Sequence, residues 1–82
     1  MSDTLKQLNE VFLDVFDDDE LTVNRETTAH DVQGWDSLMH VTLMLSVEKA
    51  LGVKFTSAEV ASLKDVGELV DLIDAHRQGV HG

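Results

Sequence analysis

Not one proline interrupts this chain, and its apolar residues recur at helical spacing in three separate stretches. The first holds Leu5, Leu8, Val11, Phe12, Val15 and Phe16, which share one stripe of a helix. Thr4 and Gln7 stand in capping-box relation at its start, so a helix is expected to open at Thr4. Asp17, Asp18, Asp19 and Glu20 follow, at the end where the helix dipole disfavours negative charge, and the helix should stop there. A second helix is predicted from about Ser37 to Leu51, with Asp36 or Ser37 as its cap and Gly52 as its stop. A third, short helix is expected over Ser57–Ser62. The last carries Val66, Leu69, Val70 and Ile73, opened by Asp65 and Glu68 in capping-box spacing.

The connections are as informative as the helices. Residues 21–36 form a link longer than most helix–helix connections. Leu21, Val23, Val32 and Trp35 are its candidate anchors, with a short turn near Thr28–Asp31. "VKF" (Val53–Phe55) has no partner strand elsewhere and reads as an extended link. The fold class is therefore all-α: a small bundle of three main helices plus one short helix, with a long loop between helices one and two. At 82 residues the chain has room for one domain with a modest core, expected over about residues 4–76 with a flexible tail at 77–82.

Composition removes several classes of function. There is no cysteine, which excludes disulfides, thiol catalysis and thiolate metal sites. The formal net charge is −10, from 16 acidic and 6 basic residues, and such a surface repels nucleic-acid phosphates while attracting basic proteins. The acidic run 17–20 lacks the alternating ligands and glycine of a calcium loop. His30, His40, His76 and His81 show no metal-ligand spacing. The polar start "MSDTLKQ" is unlike a secretory signal, and no stretch is long and apolar enough to span a bilayer. The expectation is a cytoplasmic monomer with no nucleic-acid or membrane partner.

At about 100° per residue, helix two carries two apolar strips. Leu43, Val47, Ala50 and Leu51, with Met44 nearby, form the expected core stripe. Leu38, Val41 and Leu45 lie on the opposite side among Thr42, Glu48 and Lys49, starting one residue after Ser37. Either another helix covers this second strip, or it is an exposed docking face with a polar rim. Ser37 itself has no G-x-S-x-G elbow around it. His40 lies one turn away, but the sequence names no orienting acid or oxyanion donor, so hydrolytic chemistry is not supported. Helix capping explains Ser37 as readily.

"GWDSLMHVTLM" resembles the attachment motif of acyl carrier proteins, whose core is Asp-Ser-Leu at the start of the second helix. The resemblance extends over roughly residues 4–76: an acid-ended helix, a long loop with a glycine shortly before the motif, an apolar helix, a "GVKF" link, a short helix and a final helix. It implies a carrier and not an enzyme. A phosphopantetheinyl transferase would join 4′-phosphopantetheine from coenzyme A to the Ser37 hydroxyl, and the arm would hold acyl intermediates as thioesters. The missing cysteine fits, because the thiol arrives with the cofactor. By the same resemblance Asp36 assists transferase recognition, and Leu38, Val41, Leu45 and Glu48 meet partner enzymes: an acyl-loading enzyme, a ketosynthase or an acyltransferase. Leu43, Val47 and Leu51 are candidates for an acyl pocket. Carriers of housekeeping fatty-acid synthesis usually line helix two with acids, whereas here Met39, Thr42 and Lys49 leave only Glu48. Trp35 and the "GWDSL" form are more similar to free-standing carriers of polyketide or other specialised biosynthesis. An unmodified acidic adaptor that docks a partner through Leu38, Val41 and Leu45 is the reading from another class.

Overall fold

Four helices, α1 (Asp3–Phe16), α2 (Ser37–Leu51), α3 (Ser57–Ala61) and α4 (Val66–Arg77), make up the regular structure of the computed structural model, which describes residues 3–77. Among those residues there is no strand, and "VKF" is extended link, as expected. The tail expected to be flexible lies, apart from Arg77, outside the described residues, and so does His81. α1 packs against both α2 and α4. Between them lie Leu8, Phe12, Leu43, Val47, Val66, Leu69, Val70 and Ile73, all essentially without solvent contact. Val23 and Val32 from the long connection complete this core.

Each helix end has a local cause. α1 stops because Asp17 turns left-handed (φ 52°) and the Asp18 N–H reaches back to the Leu13 carbonyl, 3.2 Å away. Asp18 then accepts the Glu20 N–H on its carboxylate, so the acidic run forms a solvated turn. α2 ends on Gly52, whose left-handed conformation (φ 69°) lets its N–H bond the Glu48 carbonyl. α3 opens on a capping box that the sequence reading missed: Thr56 Oγ1 accepts the Glu59 N–H, and the Glu59 carboxylate accepts the Thr56 N–H.

Three local expectations need correction. Thr4 does not cap α1; the helix already includes Asp3, and Thr4 is buried with its hydroxyl donating to Asp74 on α4. Gln7 likewise turns to α4 and accepts from Arg77. Ala50 is exposed, because it falls at the edge of the core stripe, over a shallow cleft shared with Gln7, Glu10 and Asp14. At α4, Asp65 does accept the Glu68 N–H, but the Glu68 carboxylate takes the N–H of Lys64.

The long loop is held by backbone partners at both sides. From α1, Asn9 accepts the Val23 N–H at 2.7 Å and donates to the Val23 carbonyl at 3.1 Å, as a neighbouring strand would. From α4, the first two helical N–H groups, which have no partner inside the helix, donate to the loop: Val66 to the Thr27 carbonyl and Gly67 to the Arg25 carbonyl. The Arg25 side chain adds a two-pronged ion pair with Asp71, on an exposed surface. Thr28–Asp31 forms the expected turn, closed by the Asp31 N–H on the Thr28 carbonyl.

Gly67 is needed for this closeness, because a Cβ there would lie 2.9 Å from the Arg25 carbonyl oxygen. Gly→Ala within a helix ordinarily gains up to about 1 kcal/mol. Gly67→Ala is expected to do the opposite and to cost about 1–3 kcal/mol, as overpacking does. Urea unfolding of the two proteins measures the sign directly.

Candidate functional site

The segment before α2 is shaped to deliver its first turn. Gly34 takes a left-handed conformation (φ 92°) that favours glycine. The chain doubles back there, with the Trp35 N–H on the Val32 carbonyl. Trp35 thereby swings inward, its ring edge-on to Phe12 with centroids 5.3 Å apart. Asp36 follows in extended conformation, and its carboxylate accepts the Met39 N–H at 2.9 Å. The sequence left Asp36 and Ser37 as alternative caps; Asp36 is the cap.

Ser37 is consequently the first residue of the helix and is exposed. No hydrogen bond to a described residue occupies its hydroxyl. It stands at the positive end of the helix dipole, where an anionic group is favoured. This is the environment that a phosphodiester on the serine oxygen requires: an accessible hydroxyl, unpaired N–H groups at the helix start, and space alongside.

That space is a groove of about 860 Å3 beginning at Asp36 and Ser37. Val41, Met44 and Leu45 of α2 form one wall; Phe55, Val60 and Leu63 form the other. The second wall was not foreseen, since nothing in a five-residue helix and its flanking links signals which side they cover.

The expected docking residues behave as an unpartnered strip. Leu38 is 77% exposed, Val41 53% and Leu45 57%, in one row along α2. Glu48 differs: it is half-buried, and its carboxylate accepts the Phe55 N–H at 2.8 Å. The residues considered for an acyl pocket lie elsewhere than the groove. Leu43 and Val47 are fully enclosed in the core, and Leu51 is half-buried beside the shallow cleft on the α1 side.

His40 is not available as a base for Ser37. One ring nitrogen, Nδ1, accepts the Trp35 indole N–H at 3.0 Å, and the other lies 3.0 Å from the Val60 carbonyl. With both nitrogens engaged, neither is free to take the Ser37 proton. No group of histidines and acids among the described residues is arranged to hold a metal ion.

Comparison with known proteins agrees with this geometry. The family model described as "Phosphopantetheine attachment site" matches residues 6–73. No curated protein matches the chain. Among solved structures, the solution NMR structure of holo acyl carrier protein from Geobacter metallireducens is similar at 42% identity and a TM-score of 0.86, over 99% of this chain and 95% of that one. The chain thus belongs to the phosphopantetheine-binding acyl carrier proteins, non-catalytic proteins whose working group is a covalent 4′-phosphopantetheine.

Proposed function

We propose that Ser37 is the attachment point and that the chain carries acyl intermediates in polyketide or other specialised biosynthesis. The observation that carries the attachment assignment is the division of labour at the start of α2. Asp36 takes the cap, and the exposed Ser37 hydroxyl is left without a partner among the described residues. The cofactor supplies, when bound, a terminal thiol on a flexible arm that holds an acyl group as a thioester. The residues of the chain do the rest. Ser37 provides the oxygen, and the start of α2 steadies the phosphate charge. Asp36, exposed beside it, faces the transferase that installs the arm. The groove offers an apolar wall along which cargo can lie.

The pathway assignment is supported by the character of the docking face. Leu38, Val41 and Leu45 are exposed, while neighbouring Thr42 and Lys49 bring no negative charge. Glu48, the acid expected there, already bonds the Phe55 N–H. A housekeeping fatty-acid carrier would meet basic partners through acids on this helix. Here contact with a ketosynthase, an acyltransferase or another acyl-loading enzyme rests on apolar burial, which is less screened by salt. Among the described residues no helix is long and apolar enough to cross a membrane, and the cytoplasm is the compartment we propose.

Two experiments test these readings. Incubation with coenzyme A, magnesium and a broad-specificity phosphopantetheinyl transferase should add the mass of one phosphopantetheine to the parent and nothing to Ser37→Ala. A folded parent that gains nothing, with the transferase active on a control carrier, would support the unmodified adaptor instead. For the face, Leu45→Ala should leave stability within about 0.5 kcal/mol, as at other surface sites, yet weaken binding to the cognate ketosynthase about tenfold, as loss of an apolar anchor does. That binding should change little between low and moderate salt. Steep loss with salt would assign the chain to charge-driven docking and favour the housekeeping role.

A further inference from the structure

α3 is the least anchored of the four helices. None of its five residues is buried, although Val60 and Ala61 help to form the outer wall of the groove beside Ser37. Two histidines reach it, one from each neighbouring helix. His40 of α2 meets the Val60 carbonyl through Nε2. His76 of α4 meets the Glu59 carboxylate at 3.5 Å.

The two contacts respond to protons in opposite ways. An indole N–H is only a donor, so its bond to His40 Nδ1 requires that nitrogen to be bare. Nε2 then carries the hydrogen and donates it to Val60. His40 is thereby set as one tautomer of the neutral ring. A protonated imidazole carries N–H at both nitrogens, and Nδ1–H would point at the Trp35 N–H along the same line. One partner must move. Trp35 is packed edge-on against Phe12 and tilted against Phe16, whereas the only aromatic neighbour of His40 among the described residues is Trp35 itself. The imidazole is the freer of the two, and its displacement carries the Val60 bond away. At the other edge, a protonated His76 gains an ion pair with Glu59. The Glu59 carboxyl is held below the usual carboxylate range, first by the Thr56 backbone N–H and then by His76, so it stays ionised as the pH falls.

We infer that His40 is a proton-sensitive latch on α3: neutral, it closes the groove wall beside Ser37; protonated, it frees that edge while α3 stays hinged at Glu59 and His76. The charged side chains that line the groove with His40 are Asp36 and Glu48 at the two ends of the α2 wall and Lys64 and Asp65 in the link before α4; Glu59 of α3 faces His76 of α4. None of them hydrogen-bonds the His40 ring, whose partners are Trp35 and Val60. The latch does not depend on whether Ser37 carries the arm.

NMR titration of the full chain from about pH 8 to about pH 5, the range over which imidazoles change charge, tests this. At the upper end, ring nitrogen shifts should report the Nε2–H tautomer of His40. Where the His40 ring nitrogen shifts change, the Trp35 indole N–H signal should change with them. Exchange protection of the Val60 and Ser62 amides should fall about tenfold in step, while α4 keeps its protection. His40→Gln keeps a donor toward Val60 but has nothing to titrate, and its α3 protection should not depend on pH. The Nδ1–H tautomer at the upper end, an indole signal indifferent to His40, or α3 protection that does not change would each overturn the latch. These three readouts come from the parent protein and stand even if the variant does not fold.

Discussion

One hydrogen bond, from the Met39 N–H to the Asp36 carboxylate, decides what Ser37 is free to do. Helix starts leave N–H groups without partners, and Ser and Asp compete to satisfy them. With Asp36 in that role, the serine next to it becomes the first helical residue, and its hydroxyl bonds no partner among the described residues. A residue pair that reads as redundant capping holds one cap, Asp36, and one exposed residue, Ser37, which we propose presents its oxygen. The same geometry places that oxygen at the positive end of the α2 dipole, where a phosphate diester is at its least costly.

That cap is only as well placed as the fifteen residues of the connection before it, 21–35. The loop is not held by a large core of its own. Val23 and Val32 are its buried hydrophobic residues, and polar contacts add to them: Asn9 on one side, and on the other the free N–H groups of α4 and the Arg25–Asp71 ion pair. Trp35 then bridges the loop to Phe12 in the core and to His40 on α2. The arrangement links the unsatisfied start of one helix to the positioning of another. It also explains the tight approach at Gly67, where α4 comes within reach of the Arg25 carbonyl.

How much of this was legible depended on the range of the interaction. Features set by neighbours along the chain were readable: the α2 span between Asp36 and Gly52, the α4 stripe, the stop at the acidic run, and the two-sided apolar pattern of α2. Features set by distant partners were not. Thr4 and Gln7 have the spacing of a capping box, yet each is taken by a group 70 residues away on α4. Asn9 looks like an ordinary polar residue on a helix flank, and its pairing with Val23 exists only once the loop has folded back. The Asp-Ser-Leu motif pointed to the site proposed here, but the groove's second wall at Phe55, Val60 and Leu63 comes from tertiary packing with no local signal.

Unfolding free energies decide which of the two adjacent residues, Asp36 or Ser37, holds the helix. In the unmodified protein, Asp36→Ala should cost about 1 kcal/mol, the usual cost of losing an N-cap, whereas Ser37→Ala should leave stability nearly unchanged. If Ser37→Ala proved as costly as Asp36→Ala, the serine would be part of the cap and the division of roles described here would be wrong.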